Sequence, residues 1–363
     1  MDIFANKQVV VTGGTGSLGK VLIRHLLSGK DGCPKKIIVF SRDEAKQHYM
    51  RVEYENLKSP TEEVIYNNFK RLLEFRIGNV RDYHSVCAAL KGADIVVNAA
   101  ALKQVPSCEY FPFEAVETNV GGAENILRAI REHDLPVETV VGVSTDKACK
   151  PVNVMGMSKA LQERVFISGN LYVPKTRFIC VRYGNVLASR GSVVPHFHEQ
   201  IISGGPLTIT TQEMTRFLLP LERAVKTICA AIRGANPGET YIPKVKSALI
   251  TNVAKALIGN REIEIKVTGI RPGEKVHEIM VSSEEAWRTV DRGDYFAIKA
   301  MLPELIWNED EPIALKEEYS SANSLMNFDE TLALLQKYRL LLEDGARQGL
   351  SHEVPHQAQS LRW

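Results

Sequence analysis

The sequence has few cysteines, almost no net charge and no long apolar run, and each absence excludes a class of protein. Its six cysteines stand singly among 363 residues, without a C-x-x-C pair or histidines at zinc spacing, so we expect neither disulfides nor a metal. The formal net charge is +2, from 45 basic and 43 acidic residues. Because the basic residues are scattered, we expect neither nucleic acid nor an anionic membrane as a partner.

The chain also lacks the features of secreted and membrane proteins. No run approaches the roughly 18 apolar residues of a membrane span, and the start, Met1-Asp2-Ile3-Phe4, lacks the charged and apolar regions of a signal peptide. A cytoplasmic location is therefore predicted. Hydrophobic residues make up 44% of the chain and charged residues 24%, which is typical of a globular protein large enough for two domains.

Short apolar runs alternate with amphipathic segments through the first half of the chain. In these runs Val and Ile follow one another without polar alternation, as in strands buried on both faces, and the segments between them have helical spacing. The predicted strands are 8–11, 36–40, 73–77, 95–98, 139–143 and 178–181. This alternation predicts an α/β fold with a doubly wound (Rossmann) parallel sheet.

A glycine-rich segment, residues 12–19, follows the first predicted strand and opens the first predicted helix. Its spacing, T-G-x-x-G-x-x-G, is a variant of the dinucleotide fingerprint, in which glycines let the backbone approach a pyrophosphate at a helix N-terminus. A plain tight turn is the alternative. The dinucleotide-binding residues predicted in this segment are Thr12, Gly13, Thr15, Gly16, Ser17 and Leu18.

The end of the second predicted strand bears on which dinucleotide binds. An acidic residue there would bind the ribose 2′-hydroxyl of NAD, but the chain offers Ser41 and Arg42, with Lys46 one helical turn further on. Because a guanidinium suits a 2′-phosphate, NADP is favoured over NAD. Asp43 keeps an alternative open, since Ser41 and Asp43 could equally be a helix cap and its first-turn acid.

Side chains with a hydroxyl, a carboxylate and an amine follow one another at the end of the fifth predicted strand, in the segment Ser144-Thr145-Asp146-Lys147. The carboxyl ends of parallel strands face the ligand crevice, so these groups are well placed for chemistry. A helix cap with a surface ion pair is the alternative interpretation.

These motifs resemble the extended short-chain dehydrogenase/reductases, and within them the inverting UDP-N-acetylglucosamine 4,6-dehydratases. The general likeness lies in the glycine-rich segment, Ser144 and Lys159. The more specific likeness lies in residues 41–44, 100–106, 144–148, 182–186, 189–192, 206–210, 214–217 and 271–275. In place of the family's usual Tyr-x-x-x-Lys pair, Met155 precedes Lys159, as in the methionine-type members that open capsule and L-fucosamine-type pathways.

The resemblance implies a cycle of oxidation at C4, loss of the C5 proton, expulsion of the C6 hydroxyl and return of the hydride to C6. The product would be UDP-2-acetamido-2,6-dideoxy-β-L-arabino-hex-4-ulose, inverted at C5. By the same resemblance Asp146 is the acid for the C6 hydroxyl, Lys147 is the base at C5, and Lys159 holds the nicotinamide ribose. These roles require a lowered pKa for Lys147, through burial or through cations such as Lys159 or Lys103, and a raised pKa for Asp146.

Met155 cannot accept the C4 hydroxyl proton, because a thioether does not titrate near neutral pH. Two hypotheses follow. Either Lys147 serves both steps, or Asp146 starts as a carboxylate and becomes the acid by accepting that proton, with Thr145 or a water as further acceptors. We favour Met155 as an apolar wall beside the nicotinamide, with simple core packing as the alternative.

The resemblance also implies the remaining binding residues. Further cofactor-binding residues are Asn79, Val80, Ala99, Ala100, Ala101, Lys103, Asn119, Ser144, Lys159, Tyr183 and Asn185. Substrate-binding residues are Lys103, Pro106, Asn185, Ser189, Arg190, Val194, Thr208, Thr210, Arg216, Arg271 and Glu274. The arginines suit a diphosphate, although each could instead form a surface ion pair. Asn79 stands where the family usually has an aspartate that contacts adenine.

The predicted domains follow from these motifs. Residues 1–190, with part of 210–245, form the NADP-binding domain; residues 190–340 form a smaller, discontinuous α/β lobe for the nucleotide sugar; residues 344–363 are a polar tail. The resemblance implies a homo-oligomer, with a dimer through paired helices and a hexamer as the larger alternative. Other functions left open are a C5-retaining dehydratase, a UDP-sugar 4-epimerase and a non-catalytic NADP-binding sensor or scaffold.

Overall fold

Parallel strands form the centre of the molecule, which is seen in a computed structural model that describes residues 2–57, 62–187, 192–305 and 310–342. In chain order the strands are β1 (Gln8–Thr12), β2 (Lys36–Ser41), β3 (Leu73–Ile77), β4 (Ile95–Asn98), β5 (Thr139–Val143), β6 (Arg177–Val181), β7 (Asn185–Val186), β8 (Leu207–Ile209), β9 (Thr215–Leu219), β10 (Thr240–Pro243), β11 (Ser247–Leu249), β12 (Ile265–Val267), β13 (Ile279–Val281), β14 (Thr289–Asp291), β15 (Tyr295–Ile298) and β16 (Tyr319–Ser320).

Helices connect most of these strands. They are α1 (Ser17–Leu27), α2 (Glu44–Glu55), α3 (Glu63–Leu72), α4 (Tyr83–Leu90), α5 (Val105–Tyr110), α6 (Pro112–Val116), α7 (Gly122–Glu132), α8 (Val154–Tyr172), α9 (Val193–Ile202), α10 (Leu221–Gly234), α11 (Ile250–Ile258), α12 (Ser283–Ala286) and α13 (Phe328–Lys337). A π-helical turn, Glu117–Gly121, joins α6 to α7, and short 3-10 turns lie at Asp146–Ala148 and Pro303–Leu305. Among the described helices, none has both the length and the apolar character that crossing a bilayer requires.

The main sheet has the order β14-β15-β10-β6-β5-β4-β1-β2-β3. Strands β1 to β6 are all parallel, and the order reverses at β1, where β2 lies on one side and β4 on the other. This is the doubly wound arrangement in which a ligand crevice opens at the strands' carboxyl ends. The predicted fold class and all six predicted strands are confirmed.

Both faces of the sheet are buried, which explains the unbroken Val and Ile runs of the sequence. Val9 and Val11 face one core with α1 and α10, whereas Val10 faces a second core with α4 and α7. Burial on both faces removes the need for a polar residue at every second position. Unbroken Val and Ile runs therefore identify these strands better than an alternation of apolar and polar residues would.

A third core lies among α9, α11 and α13, next to a small sheet of order β11-β9-β7. The chain returns from there to the main sheet through α10 and β10, within the predicted 210–245 segment. Strands β14 and β15, from the segment predicted for the smaller lobe, also join the main sheet. The division into two domains stays a prediction, and the predicted tail, 344–363, lies outside the described residues.

A buried ion network joins the parallel strands to the C-terminal part of the chain. Arg182, directly after β6, donates to Glu163 Oε2 on α8 at 2.7 Å and to Glu285 Oε2 on α12 at 2.8 Å. Arg182 is only 2% exposed. Burial alone would raise the pKa of Glu285, but the Arg182 guanidinium outweighs burial and lowers that pKa to about 2. Arg182 therefore contacts both carboxylates directly, and Arg288 lies further from Glu285, at 3.9 Å.

We expect Arg182→Met to lower the free energy of unfolding by about 3–5 kcal/mol, because it removes the guanidinium that contacts both buried carboxylates and leaves Glu285 only the more distant Arg288, at 3.9 Å, among the described residues. The matched control is Arg223→Met, since its partner Asp294 is 75% exposed and ion pairs at the surface contribute less than about 1 kcal/mol. Urea unfolding of both variants measures the difference. Equal losses in the two variants would contradict the prediction.

The same network predicts an acid dependence of stability. Because the pKa of folded Glu285 is lowered to about 2 from 4.5, its contribution is full above about pH 4.5 and is lost as the pH falls towards 2. Wild-type stability should fall through this window more steeply than that of Glu285→Gln. Parallel curves for the two proteins would exclude the assignment.

Candidate active site

The glycine-rich loop between β1 and α1 is closed against the chain after β4. Gly13 has φ +65°, and a Cβ built on it would lie 2.8 Å from the backbone N and Cα of Ala100. A Cβ on Gly19 would lie 2.5 Å from Gly14. Only glycine fits at these positions. The predicted cofactor residues Gly13 and Ala100 are thus brought together, with Ala99 and Ala101 beside them in the chain.

The start of α1 is open to an anion. Its N-cap residue, Gly16, makes no side-chain capping bond, and the first turn contains no acidic residue. The first N–H groups of a helix then remain available to a ligand, and the helix dipole favours negative charge. This loop and the glycine packing fit the pyrophosphate of a dinucleotide. Thr15, Ser17 and Leu18 lie within this turn, and their contact with a dinucleotide stays a prediction.

The two basic residues that follow β2, Arg42 and Lys46, differ in their contacts. Asp43 is the N-cap of α2, accepting from the backbone N of Lys46 at 2.9 Å, and it also pairs with the Lys46 ammonium. A helix cap is present, but Asp43 itself is the cap and Glu44 is the first-turn acid, whereas the alternative had Ser41 as the cap and Asp43 as the acid. Ser41 Oγ lies 3.0 Å from Thr15 Oγ1, next to the glycine loop. Arg42 is exposed, so it is the residue at this strand end whose guanidinium faces solvent.

Other predicted cofactor residues lie around the same crevice. Asn79 Oδ1 accepts from the backbone N of Arg81 at 3.1 Å. This bond holds the loop after β3, which also contains Val80. Asn119 is 0% exposed in the π-helical turn and donates to Leu102 O at 3.0 Å and to Ser158 Oγ at 2.9 Å. It therefore ties the loop after β4 directly to α8. A π-helical turn of this kind is frequent at functional sites.

Asp146 is fully buried directly after β5. Its Oδ1 accepts from Thr145 Oγ1 at 2.8 Å and from Lys147 Nζ at 3.1 Å, and its Oδ2 has no hydrogen-bond partner among the described residues. Burial raises the pKa of Asp146 and Glu278 adds to the rise, against the opposing effect of Lys147. The raised pKa expected of a general acid is therefore confirmed.

Lys147 lies between two carboxylates. Its Nζ is 3.1 Å from Asp146 Oδ1, 3.0 Å from Glu278 Oε1 and 3.5 Å from Asn185 Oδ1. Burial lowers the pKa of Lys147, but Asp146 and Glu278 outweigh burial and leave the pKa above its ordinary value. The predicted lowering is therefore wrong, because a carboxylate from the C-terminal part of the chain occupies the place where cations were expected.

Lys159 and Met155 lie on the buried side of α8. Lys159 Nζ donates to Val143 O and to Gln162 Oε1, both at 2.5 Å, and burial lowers its pKa to about 8. Met155 is 4% exposed and belongs to a small core with Cys108 and Ala115. These contacts agree with the core-packing alternative. The role of Lys159 at the ribose stays a prediction.

Arg216 is held by the protein itself. It is 7% exposed and donates to the backbone carbonyls of Thr215, Lys275 and Val276 at 2.7, 3.0 and 3.1 Å, with Nε 3.8 Å from Glu278 Oε1. These contacts place the Arg216 guanidinium beside the group formed by Asp146, Lys147 and Glu278. A contact with a diphosphate, expected from the resemblance, stays a prediction.

The other predicted substrate residues are spread around the crevice and the small sheets. Thr210 Oγ1 donates to Glu274 Oε2 at 3.3 Å, so these two predicted residues meet. Thr208 Oγ1 accepts from Gln200 Nε2 at 2.7 Å. The remaining residues differ in exposure: Lys103, Pro106 and Arg271 are exposed, Asn185 is half-buried, and Tyr183 and Val194 are buried in cores. Ser189 and Arg190 lie outside the described residues.

Sequence reasoning missed Glu278 and Gln162. Glu278 follows the Arg271–Lys275 motif by only three positions, and that proximity was the one available signal. Nothing in the spacing connects it to Lys147. Gln162 lies one turn after Lys159 on α8, so its contact with the lysine could have been found from the helical period.

A second cluster of ionisable side chains lies apart from these residues. His25, Asp31 and Cys229 have ligand atoms within 4.8 Å of one another. However, Asp31 is already paired with His25 at 2.8 Å and with Arg233 at 2.9 Å. The cluster is satisfied as an ion network, and we assign no metal to it.

Comparison with protein families and curated sequences gives consistent results. A family model described as polysaccharide biosynthesis protein matches residues 9–300. A UDP-glucose 4-epimerase from Rickettsia conorii is 42% identical over 344 residues, which cover 92% of this chain and 96% of that protein. The protein of the same name from Rickettsia canadensis is 41% identical over 353 residues, covering 94% and 99%.

Solved structures share the fold. Pen from Bacillus thuringiensis is 31% identical with a TM-score of 0.82, covering 93% of this chain and 99% of that one. DesIV, a dTDP-glucose 4,6-dehydratase from Streptomyces venezuelae with NAD and TYD bound, is 21% identical with a TM-score of 0.62, covering 74% and 86%. At this identity the likeness to DesIV shows the fold alone.

The close approach at Gly13 generates a prediction about cofactor binding. We expect Gly13→Ala to cost roughly 1–3 kcal/mol more in unfolding free energy than Gly29→Ala, and to weaken dinucleotide binding. Gly29 is a matched control, because its φ is +66° and nothing lies within 4 Å of a built Cβ. Urea unfolding and a fluorescence titration with the dinucleotide check both parts. Equal behaviour of the two variants would show that the approach to Ala100 is unimportant.

Proposed function

We propose that this chain, which belongs to the polysaccharide biosynthesis protein family, is an inverting UDP-N-acetylglucosamine 4,6-dehydratase that uses NADP and supplies a surface-polysaccharide pathway. The observation that supports this most is the buried pair at the end of β5: Asp146, with one unpaired carboxylate oxygen, beside Lys147. Elimination of a hydroxyl and a neighbouring proton needs an acid and a base side by side.

The cofactor would lie along the carboxyl edge of the parallel strands. The glycine loop would hold its pyrophosphate, Arg42 its adenosine end, and Lys159 its nicotinamide ribose. When bound, a nicotinamide dinucleotide supplies a hydride acceptor for C4 and a donor for C6. The protein's own part is then to move protons at C4, C5 and the C6 hydroxyl.

Asp146 is suited to protonate the departing hydroxyl. Its raised pKa lets it hold a proton gained earlier in the cycle, and its Oδ2 has no competing partner among the described residues. As the C5–H bond breaks, Lys147 takes the proton, and the electron pair moves onto the C4 ketone as an enolate. The C5–C6 double bond then forms as the C6–O bond breaks, and the oxygen leaves as water with the proton from Asp146.

The contacts favour one of the two hypotheses for the C4 hydroxyl proton. Thr145 Oγ1 donates to Asp146 Oδ1 at 2.8 Å, so a proton that reaches Thr145 can pass to Asp146. Asp146 would then start as a carboxylate and become the acid for the later step. Met155, packed against Cys108 and Ala115, takes no part in this transfer.

A second candidate is a UDP-sugar 4-epimerase, which the names of the Rickettsia relatives favour. Epimerisation needs C4 oxidation and reduction only, without a base at C5 or an acid for the C6 hydroxyl. Asp146 could still accept the C4 hydroxyl proton through Thr145, but Lys147 would have no C5 proton to remove. We therefore place the epimerase second.

One NMR time course in deuterated water tests the proposal and its alternatives. With UDP-N-acetylglucosamine and no added reductant, a dehydratase forms a 6-methyl signal and incorporates deuterium at C5, and the ring couplings distinguish inversion from retention. An epimerase returns a 4-hydroxy sugar with its C6 hydroxyl intact. A non-catalytic protein leaves the sugar unchanged. Either of the last two results would exclude the dehydratase.

We expect Asp146→Asn to lower kcat by roughly 100- to 10,000-fold, because an amide can neither accept the C4 proton nor protonate the C6 hydroxyl. Asp291→Asn makes the same chemical change at an exposed residue of β14 and should retain activity. Release of the 4-keto product, followed by its absorbance in alkali, measures both. A near-normal rate for Asp146→Asn would remove this residue from the mechanism.

Arg42→Ala should weaken NADP binding by roughly 10- to 150-fold while changing NAD binding little, since a charge-assisted contact with the 2′-phosphate contributes roughly 1.5–3 kcal/mol. Lys46→Ala is the matched control: its ammonium already pairs with Asp43, so we expect a smaller effect. Each variant is titrated with NAD and with NADP, and each dissociation constant is divided by the wild-type value for the same dinucleotide. A similar loss for NAD and NADP in Arg42→Ala would contradict the choice of NADP.

The proposed partner is a second copy of the chain. Large apolar side chains are exposed beside α8, with Tyr110 at 77%, Phe111 at 62% and Phe113 at 70%. On α8 itself Met157 and Leu161 are also exposed. Contiguous apolar surface of this kind is typical of protein interfaces, and it agrees with a dimer formed through paired helices.

A further inference from the structure

Glu278 is a buried carboxylate for which the mechanism above has no role. It is 2% exposed, directly before β13, and its Oε1 lies 3.0 Å from Lys147 Nζ. Its Oε2 is buried without a hydrogen-bond partner among the described residues. Ser321 holds the Glu278 backbone on both sides, through Glu278 N to Ser321 Oγ at 2.9 Å and Ser321 N to Glu278 O at 2.8 Å. The carboxylate is thus fixed against the lysine.

Lys147 cannot act as a base while it is an ammonium. Its contacts with Asp146 and Glu278 favour that charged form, as the raised pKa of Lys147 also indicates. The lysine must therefore pass a proton to something before it can take one from C5. Glu278 Oε1 is a suitable acceptor at hydrogen-bond distance, and no solvent is needed between the two groups.

We propose that Glu278 is a positioning residue that acts through Lys147, accepting the ammonium proton across the 3.0 Å contact and leaving Lys147 Nζ with a lone pair for C5. This inference rests on the proposed dehydratase function. An N–H bond of Lys147 breaks and an O–H bond of Glu278 forms. After Lys147 has taken the C5 proton, the pair releases one proton to solvent, and C5 takes one from solvent on the opposite face.

Substrate binding supplies the driving force for this transfer. The Lys147 side chain is 20% exposed, whereas those of Asp146 and Glu278 are 0% and 2% exposed. A sugar ring over that open side would remove water from the ammonium. Desolvation penalises the ion pair more than the neutral pair, so closure favours Lys147 as an amine and Glu278 as an acid.

Several other charged or titratable groups face the pair. Asp146 contacts Lys147, and Arg216 Nε lies 3.8 Å from Glu278 Oε1. Lys275 Nζ donates to Cys149 O at 2.7 Å, and His277 Nδ1 lies 2.8 Å from Thr215 Oγ1. Burial raises the pKa of Glu278, but the charges of Lys147 and Arg216 outweigh burial and lower that pKa, so the carboxyl is ionised before substrate binds.

A distinctive pH dependence follows from this arrangement. The ion pair and the neutral pair contain the same number of protons, so their ratio does not change with pH while the pair holds one proton. In Glu278→Gln the lysine must instead lose its proton to solvent. The active fraction then rises roughly tenfold for each pH unit below the lysine pKa.

The test measures kcat and KM from about pH 6 to pH 10 for the wild type, Glu278→Gln and Glu278→Asp. Glu239→Gln is the matched control, because Glu239 is also a 2% exposed carboxylate but pairs with Arg292. Each variant is compared with the wild type at the same pH, and Glu278→Asp keeps the negative charge that raises the pKa of Asp146. Product is followed by the 6-methyl and C5-deuterium signals.

We expect kcat of Glu278→Gln relative to the wild type to rise by roughly tenfold per pH unit, with KM nearly constant. The ratio should stay flat for Glu278→Asp, which keeps a carboxylate, and for Glu239→Gln. A purely structural role would instead lower kcat of Glu278→Gln by the same factor at every pH, and that result would overturn the proposal.

If Glu278→Gln does not fold, the pH dependence of kcat for the wild type and for Glu278→Asp still tests the inference. A wild-type kcat that itself rises tenfold per pH unit, as for an isolated lysine, would overturn the inference, as would a pH-dependent ratio for Glu278→Asp. Dehydration with flat ratios in all variants would overturn the inference alone. A wild type that forms only the C4 epimer would overturn both the inference and the proposed function.

Discussion

The ion cluster around Lys147 is the interaction on which the rest of the site depends. Removing charges from water is costly unless each has a partner at contact distance. Asp146 and Glu278 therefore have to lie on two sides of the lysine, as they do at 3.1 and 3.0 Å. This requirement brings the segment before β13 over the carboxyl end of β5. The packing of the C-terminal part against the parallel sheet follows from it.

A second network holds the same segment from its other end. Cys149, three residues after Asp146, has its backbone carbonyl bonded to Lys275 and its thiol 3.6 Å from Glu285. Glu285 in turn belongs to the Arg182 network. The 3-10 turn that contains Asp146 and Lys147 is thus held between two buried charge clusters. Such a turn can keep an acid and a base within hydrogen-bond distance through a reaction cycle.

Met155 stands at the position of the usual tyrosine, and other residues must exchange protons in its place. A tyrosine at this position would be a proton acceptor beside the sugar, whereas the methionine is packed with Cys108 and Ala115. The groups that can exchange protons are instead Thr145, Asp146, Lys147 and Glu278, which form a continuous set of contacts. An epimerase would have little use for that set, although the curated relatives carry that name. An elimination has a use for every member.

The sequence by itself determined the parallel sheet, the glycine loop and the position of Asp146 and Lys147 at a strand end. These features depend on short-range patterns: buried Val and Ile runs, glycines where a Cβ would collide, and the rule that parallel strands end on one edge. Only the tertiary structure decided the charge state favoured for Lys147, the pairing of Lys46 with Asp43 and the engagement of Arg216 by backbone carbonyls. A pKa depends on which charges lie within a few ångströms, and Glu278 reaches Lys147 only through folding. No spacing along the chain records that distance.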